Sequence, residues 1–424
     1  MRIMTLSRGI SKVVATLILV VIIVVAGVAA YLFYQSTLPK PTLTVYALWS
    51  GSEQYNFEQA LGNFTQNTGI NVTYVGRTTD QLLISVPLQL QSPPYDVDVI
   101  IAPWPYWILD NSQYLTEVND IVTQSDFPAN IINPVKDTSG NLWAAPFKLS
   151  GKPGFWYRTS FFDDNGLKVP TTYDEFVNTL LPAIKAVPGV EQAIASGDTV
   201  GWPLSDTTEG FIIGLGGYQL QLDLEKGPSA RNWTDTQVED VFGKMTSLLE
   251  AGYFSTPADW ESQIAKLWSG QYGIYWQGSF ITTLPEVQDV SDLSFFGFPG
   301  TDGVVGAVDY AVITKEAPHP SEARQLVQYL AGVDAQQIMV GQGGFLATNL
   351  NVPSSAYTAI DKKVVDFMGQ QGITIVPDLD DTIGGQWQQT FWDQLKLLWT
   401  SPSTSTMNSV LEALQTAAID QQGT

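Results

Sequence analysis

The sequence of 424 residues has no cysteine and a single histidine, His319. The absence of cysteine excludes disulfide bonds, thiol catalysis, cysteine-ligated zinc and a lipid attached to an N-terminal cysteine. A lone histidine argues against a histidine-ligated metal site and against a Ser-His-Asp triad. These two counts therefore argue against many classes of enzyme, and we expect neither a cofactor nor a metal ion.

Charged side chains are also scarce, at 15% of residues, where about 25% is usual. They are unbalanced as well, since 42 acidic and 20 basic residues give a formal net charge of −22. Nucleic acid is not an expected partner, because phosphate binding needs clustered Lys and Arg. A surface wetted by uncharged polar side chains stays hydrated when carboxylates protonate below about pH 4. We therefore hypothesise a protein that works outside the cell, in acid.

The N-terminus carries a long apolar run, residues 13–33, which follows three basic residues and no acidic one. As a helix, a run of this length spans the roughly 30 Å of a membrane's hydrocarbon core. Residues 1–34 therefore predict a signal or membrane anchor helix, with its basic end in the cytoplasm and the rest of the chain outside. A short polar linker, residues 35–41, follows.

The segment before the apolar run, Ser7-Arg8-Gly9-Ile10-Ser11-Lys12, resembles the pilin-type signals of archaeal surface proteins, sugar-binding ones included. In such signals cleavage follows a glycine that precedes the apolar helix, which implies a cut between Gly9 and Ile10 and a helix that stays on the mature protein. An uncut anchor and a secretory signal cut within residues 26–30 remain alternatives. The resemblance predicts an archaeal protein anchored at the cell membrane, with its binding domain extracellular.

The remaining chain is long enough for two or three domains, and 44% of all residues are hydrophobic. Three predicted strands alternate with two predicted helices, in the order 43–49, 53–68, 70–75, 80–91 and 97–102. Strand-helix-strand repeats form a parallel sheet, and ligands bind beyond the carboxyl ends of its strands. Those ends carry Trp49, Arg77 and Trp104.

Residues 140–176 read GNLWAAPFKLSGKPGFWYRTSFFDDNGLKVPTTYDEF, which predicts a turn, a strand, a crossing segment, a second strand and a helix start. In order and spacing this stretch resembles the extracellular solute-binding proteins of sugar-type ABC transporters, the maltose-binding-protein-like family. The resemblance extends over residues 42–420. Its nearest group is the α-glucoside-binding one, through short motifs such as Gly76-Arg77, Gly201-Trp202-Pro203 and Asp309-Tyr310.

That family implies an α/β fold of the type II periplasmic-binding-protein class, with two lobes joined by a hinge. On this basis residues 42–151 and 309–353 form lobe 1, and residues 152–308 and 354–424 form lobe 2. The implied function is the extracellular substrate-binding subunit of a carbohydrate ABC transporter, which captures an α-glucoside, di- or oligosaccharide between the lobes and delivers it to the permease subunits. No catalysis is implied.

Two alternatives stay open. The ligand of such a protein can be a solute other than a sugar. A glycoside hydrolase would need two carboxylates about 5 to 10 Å apart; the 42 acidic residues supply such pairs, although none stands in a recognisable motif.

A sugar site needs flat aromatic side chains against the C–H faces of the ring and polar side chains for its hydroxyls. The stacking candidates are the tryptophans just past predicted strands or in glycine-bounded loops: Trp49, Trp104, Trp202 and Trp276. Tryptophans within or against helix and strand patterns are expected in the core: Trp107, Trp143, Trp260, Trp268, Trp392 and Trp399.

Asp309 is the best polar candidate, because it stands between Val308 and Tyr310 in a strand expected to cross the hinge. A buried carboxylate needs a partner, which is either a pair of sugar hydroxyls or a salt bridge to a basic residue. The other polar ligand-binding candidates are Glu53, Arg77, Lys148, Asp206 and Tyr310. The acidic run at 378–381 lacks the spacing of a calcium loop and predicts a solvated loop before a helix.

Overall fold

The structure, a computed structural model, describes residues 17–27 and 40–423. The chain divides into two compact units, Met1–Thr42 and Leu43–Thr424. In the first unit, residues 17–27 form helix α1, whose side chains are exposed. A search of the described residues finds no helix both long and apolar enough to cross a membrane. The expected cut between Gly9 and Ile10 and both ends of the expected 13–33 span lie outside the described residues.

The second unit contains a first sheet whose central strand is long. It consists of seven strands: β1 Thr42–Ala47, β2 Asn71–Gly76, β3 Val99–Ala102, β4 Leu115–Thr116, β5 Ala145–Lys152, β12 Gly303–Thr314 and β13 Thr374–Pro377. Five of them lie in the order β13-β12-β3-β1-β2, and the other two, β4 and β5, pair with β12. β1 and β3 are parallel, whereas β12 is antiparallel to both β3 and β5. The three predicted strands therefore lie together in this sheet.

A second sheet is formed by four strands in the order β11-β6-β10-β7. Their bounds are β6 Gly154–Arg158, β7 Gln192–Ala195, β10 Tyr272–Gln277 and β11 Leu293–Phe296. β10 runs antiparallel to β6 and parallel to β7. A short ladder of β8 (Gly197–Asp198) and β9 (Ala258–Asp259) stands apart from both sheets.

Helices cover the two sheets. The first sheet is accompanied by α2 Gly51–Thr68, α3 Val86–Leu90, α4 Pro105–Asp110, α5 Ala129–Ile132, α13 Pro320–Ala331, α14 Val333–Gln342 and α15 Ala359–Met368. The second is accompanied by α6 Thr159–Asp164, α7 Tyr173–Glu175, α8 Leu181–Lys185, α9 Trp202–Gly216, α10 Tyr218–Glu225, α11 Thr236–Glu250, α12 Trp260–Trp268, α16 Leu379–Ile383, α17 Gly385–Thr400 and α18 Thr404–Gln422. Single π-helical turns, Gln81–Ser85 and Phe176–Leu180, lead into α3 and α8.

The buried hydrophobic residues form two main cores. The second core lies with the second sheet, whereas the first covers the first sheet and also takes in Trp156 and Tyr275 of the second. With its two separate sheets, the unit is a two-lobe α/β fold. Val45, Ile100 and Ile313 belong to the first core, and Phe155 and Trp387 to the second. α15 packs its apolar residues at 360, 364 and 368 into the first core, and α17 and α18 pack into the second. The residue limits predicted for the lobes remain predictions.

The lobes are linked through the antiparallel pair β5 and β12. Their register runs from Lys152 opposite Val305 to Ala145 opposite Ala311, with an irregularity between Asp309 and Tyr310. All residues of β5 are buried. Polar side chains on these two strands therefore lie where the two lobes meet.

The packing of α9 on the second sheet can be tested with a pair of helical glycines. A Cβ added to Gly210 would lie 2.5 Å from Cζ2 of Trp276, whereas Gly62 in α2 has nothing within 4 Å. We expect Gly210→Ala to lower the free energy of unfolding by about 1 kcal/mol or more through overpacking. Gly62→Ala should raise it by roughly 0.5–1 kcal/mol, because alanine favours helix. Urea unfolding measures both, and a Gly210→Ala protein as stable as the parent would contradict this packing.

Candidate functional site

Side chains from both cores line one cavity of about 590 Å³. The first lobe contributes Trp49, Glu53, Arg77, Trp104, Lys148 and Asp309. The second contributes Trp202, Asp206, Trp260, Phe280 and Trp392, with the acidic residues at 378, 380 and 381. Lys152 lines the cavity from the end of β5, where the two lobes meet. Small-molecule sites typically measure about 300–1,000 Å³, so the cavity has the size of a site for a small organic ligand.

The sheet topology brings the first-lobe residues together. Trp49 follows β1, Arg77 directly follows β2, and Trp104 follows β3. All three line the cavity. This agrees with the prediction that the ligand site lies beyond the carboxyl ends of the strands. The indoles of Trp49 and Trp104 are nonetheless mostly buried, at 7% and 2% exposure, so little of either ring is open to the cavity.

Lys148 forms a buried ion pair with two carboxylates of the first lobe. Its Nζ donates to Glu53 Oε1 at 2.7 Å and lies 3.3 Å from Asp309 Oδ2. Although burial lowers the pKa of Lys148, the charges of Glu53 and Asp309 raise it overall. Burial raises the pKa of Asp309 against the opposing effect of Lys148. The salt bridge expected for Asp309 is thus formed, with Lys148 as the partner.

A second buried lysine lies in a much more acidic setting. The Lys152 cluster consists of Lys152 and five carboxyl residues: Asp206, Glu209, Asp378, Asp380 and Asp381. Lys152 Nζ donates to Asp206 Oδ1 and to Asp378 Oδ2. Burial raises the pKa of Asp206 to about 7. Although burial opposes it, Lys152 holds the pKa of Asp378 below its usual value.

The other three carboxyls of the Lys152 cluster lack a cationic partner among the described residues. Burial raises the pKa of each well above its usual range. Glu209 accepts hydrogen bonds from Gln221 Nε2 at 2.8 Å and from the Leu379 amide at 2.9 Å. Asp380 accepts one from Trp392 Nε1. The cluster is thus a set of carboxyls that burial drives toward protonation.

Carboxylate oxygens of this cluster are close enough together for a metal ion to be considered. Those of Asp206, Glu209 and Asp378 lie within 4.8 Å of one another, as do those of the three acids at 378, 380 and 381. The ammonium of Lys152 already donates to two of these residues. The positive charge at the centre of the cluster is therefore supplied by the lysine.

Aromatic side chains form the second-lobe wall of the cavity. Trp202 and Trp260 meet edge to face with centroids 5.2 Å apart, and Phe280 lies 5.6 Å from each. The Trp392 ring lies against Gly201, where a Cβ would come within 2.3 Å of Cδ2 and φ is +86°. Only glycine therefore leaves room for this indole. Trp202, Trp260 and Trp392 are half-buried, so part of each ring is reachable from the cavity.

Eight of the ten predicted ligand-binding residues line this cavity, and two do not. Trp276 packs its ring 5.0 Å from that of Phe155 in the second core. The Tyr310 hydroxyl donates to the Ile131 carbonyl at 2.9 Å. Successive side chains of a strand point to opposite faces, so Tyr310 lies away from the face that carries Asp309.

The sequence predicted that several of the lining residues would lie elsewhere. Trp260 and Trp392 were expected in the core, and the acidic run at 378–381 in a solvated loop. Instead both tryptophans line the cavity, while Asp378 and Asp380 are 4% and 1% exposed. Asp378 caps α16, which buries the run against α9. Lys152 was not singled out at all, and no sequence signal separates it from the other lysines.

Comparison with known proteins identifies the family of the chain. The profile of the bacterial extracellular solute-binding protein family matches residues 49–337, which is more than half of the chain. The chain belongs to this family. The resemblance inferred from residues 140–176 is therefore confirmed.

Among its relatives, an uncharacterized ABC transporter extracellular-binding protein of Pyrococcus horikoshii is 41% identical over 378 residues, covering 88% of this chain and 87% of that one. The α-glucosides-binding periplasmic protein AglE of Rhizobium meliloti is 27% identical over 357 residues, covering 74% of each. The crystal structure of the bacterial solute receptor AcbH, described as preferring β-D-galactopyranose, superposes with a TM-score of 0.81 at 19% identity, covering 91% of this chain and 100% of that one. The last likeness supports the two-lobe fold.

The stability of this solute-binding protein should rise on acidification. Asp206, with a pKa raised by burial to about 7, holds in the folded state a proton that the unfolded chain releases above about pH 4. The contribution of this proton to the free energy of unfolding is fully present below about pH 4 and is lost as the pH rises through about 7. We expect a melting temperature at pH 5 a few degrees above that at pH 8, roughly 2 °C or more.

Asp206→Asn cannot ionise and should shrink this difference, whereas Asp164→Asn, at the exposed end of α6, should leave it unchanged. Carboxyls with lowered pKa, such as Asp292 at about 2, lose their contribution only below about pH 4. Differential scanning calorimetry supplies the measurement. Equal melting temperatures at the two pH values, or a lower one at pH 5, would contradict the raised pKa of Asp206.

Proposed function

We propose that this chain is the extracellular substrate-binding subunit of an ABC transporter for carbohydrates, with an α-glucoside, di- or oligosaccharide as its solute. The observation that carries the proposal is the pairing, in one cavity, of half-buried indoles with buried carboxylates. Indoles suit the C–H faces of a sugar ring, and carboxylates accept hydrogen bonds from its hydroxyls. The ABC transporter extracellular-binding protein of Pyrococcus horikoshii supports the transporter, and the α-glucosides-binding protein of Rhizobium meliloti supports the α-glucoside.

In this proposal the first lobe supplies the polar contacts. Glu53 and Asp309 flank Lys148 and keep acceptor oxygens at the cavity wall, and Arg77 adds a donor. The second lobe supplies the stacking surface through Trp202, Trp260 and Trp392. Trp49, Trp104 and Asp206 complete the lining, while Trp276 and Tyr310 support it from the cores.

Solute contacts on both lobes would favour a closed arrangement over an open one, because a ligand shifts an equilibrium toward the state in which it has more contacts. The strands β5 and β12 are the natural hinge, since they run between the lobes. Closure would then present a continuous surface to the permease subunits. We further propose that the N-terminal segment, trimmed after Gly9 or uncut, anchors the protein outside the cell membrane.

The solute class can be tested by thermal shift with the purified full-length chain. Trehalose, maltose, maltotriose, raffinose and galactose are compared with glycine betaine and a tripeptide. A sugar present at about 100 times its dissociation constant stabilises the folded state by roughly 2.7 kcal/mol. We expect a saturable rise for at least one sugar, and a loss of affinity of about tenfold or more in Asp309→Asn, because the carboxylate oxygens accept stronger hydrogen bonds.

Asp366→Asn, at an exposed surface ion pair, is the control and should bind as the parent does. A response to glycine betaine or the peptide alone would redirect the proposal to a non-sugar solute. Chromatography of the sugar after incubation provides a second readout. Recovery of cleaved sugar would overturn the binding-only function in favour of a glycoside hydrolase.

The stacking role of the second-lobe wall has its own test. Trp260→Leu keeps apolar bulk but removes the flat face, so we expect sugar affinity to fall by about fivefold or more, in line with roughly 1 kcal/mol for such a contact. Trp143→Leu is the matched control, because Trp143 is half-buried, lies outside the cavity and donates a hydrogen bond to Asp137. Isothermal titration calorimetry would contradict the role if the two variants bound equally well.

A further inference from the structure

The Lys152 cluster holds more carboxyl groups than its one ammonium can neutralise. Within residues 17–27 and 40–423, Lys152 is the only cation paired with any of its five acids. Four of the five are at most 4% exposed, and Asp381 is half-buried. Ionised carboxylates without a partner are strongly disfavoured in such surroundings, so protons must occupy part of the cluster.

No other cation of the described elements around the cluster pairs with its acids, since Lys148 on β5 pairs with Glu53 and Asp309. α17 supplies Gln388 and Trp392, and its Lys396 pairs with Asp198 instead. The remaining titratable groups that face the cluster are acids or phenols: Asp309 on β12, Glu225 on α10, Tyr275 on β10, Tyr106 on α4 and Tyr310 on β12. Additional positive charge has to come from solution, as protons.

A second observation concerns Asp206, which is fully buried and lines the cavity. Its Oδ1 accepts from Lys152, but its Oδ2 has no hydrogen-bond partner. The hydroxyl of Tyr275, also fully buried, has none either. An unpartnered buried carboxylate oxygen is costly, and a proton on this oxygen relieves that cost. Asp206 thus connects the buried cluster to the cavity that it lines.

We propose that the Lys152 cluster is a proton-binding site coupled to the solute site, so that protons and solute bind together. The proposal rests on the proposed function, because it describes how that site is regulated. Asp206, Asp378, Asp380 and Asp381 line the cavity, so a bound solute covers them and excludes water. Removing water disfavours the ionised carboxyl, which raises the proton affinity of the cluster, and by linkage protons raise the affinity for solute to the same degree.

The direction and pH range follow from Asp206. Its pKa of about 7 in the free protein rises when solute covers it. The gain in affinity is fully present below the free pKa and is lost as the pH rises through the higher pKa of the complex. Solute therefore binds most tightly in acid, and its dissociation constant grows above neutrality.

Isothermal titration calorimetry of the full-length chain with maltose and with trehalose tests the coupling. Titrations at pH 7.5 in Hepes and in Tris, which differ in ionisation enthalpy, give the number of protons exchanged. We expect net proton uptake, and a dissociation constant at pH 8 about fivefold above that at pH 6, within the usual range of coupling between sites.

Variants of the cluster test whether its carboxyls take up the protons when solute binds. Asp206→Asn and, separately, Asp381→Asn should reduce proton uptake and flatten the pH dependence of the dissociation constant, whatever its absolute value. Asp366→Asn changes an exposed carboxyl outside the cavity and should retain the uptake. Two cluster variants guard against a failure of one to fold, which a thermal melt reveals.

Zero exchange, proton release, or uptake that persists in both cluster variants would overturn the proposal. If neither sugar binds, the sugar in the proposed function fails, and the proton site is then decided on the free protein. Trp392 donates to Asp380, so the tryptophan fluorescence of the free chain should change between pH 5 and 9. An unchanged spectrum over that range would rule the proton site out.

Discussion

The structure of the cavity depends on two buried lysines of β5, Lys148 and Lys152. They stand four residues apart on the same face of one strand, and each must be neutralised where it is buried. Lys148 takes carboxylates from α2 and β12, and Lys152 takes them from α9 and from the residue before α16. The requirement to pair these two charges brings five separate segments together at the junction of the lobes.

In the proposed function, both walls of the cavity take part in recognising the solute. The first lobe presents the paired charges around Lys148, and the second presents half-buried indoles together with acids of the Lys152 cluster. A solute with a polar rim and an apolar face would satisfy both walls only by contacting both lobes. Selectivity would then depend on closure, since neither wall is sufficient by itself.

The composition of the surface and the buried carboxyls of the interior both favour stability of the folded protein at acidic pH. Few surface charges are lost on acidification, because only 15% of residues are charged. In the interior, burial raises the pKa of most carboxyls in the Lys152 cluster. For Glu209, Asp380 and Asp381, protonation removes an unfavourable buried charge instead of breaking a salt bridge, which is the reverse of ordinary acid denaturation.

The sequence by itself determined the local elements and the family. Periodic hydrophobic patterns located β1 to β3, the strand ends pointed to Trp49, Arg77 and Trp104, and a lone acid in an apolar strand pointed to Asp309. These signals are local, because each depends on residues a few positions apart. Only the tertiary structure revealed the Lys152 cluster and the places of Trp260 and Trp392. Lys152 meets Asp206 at a separation of 54 residues and Asp378 at 226, and no periodicity of a strand or helix records contacts over such distances.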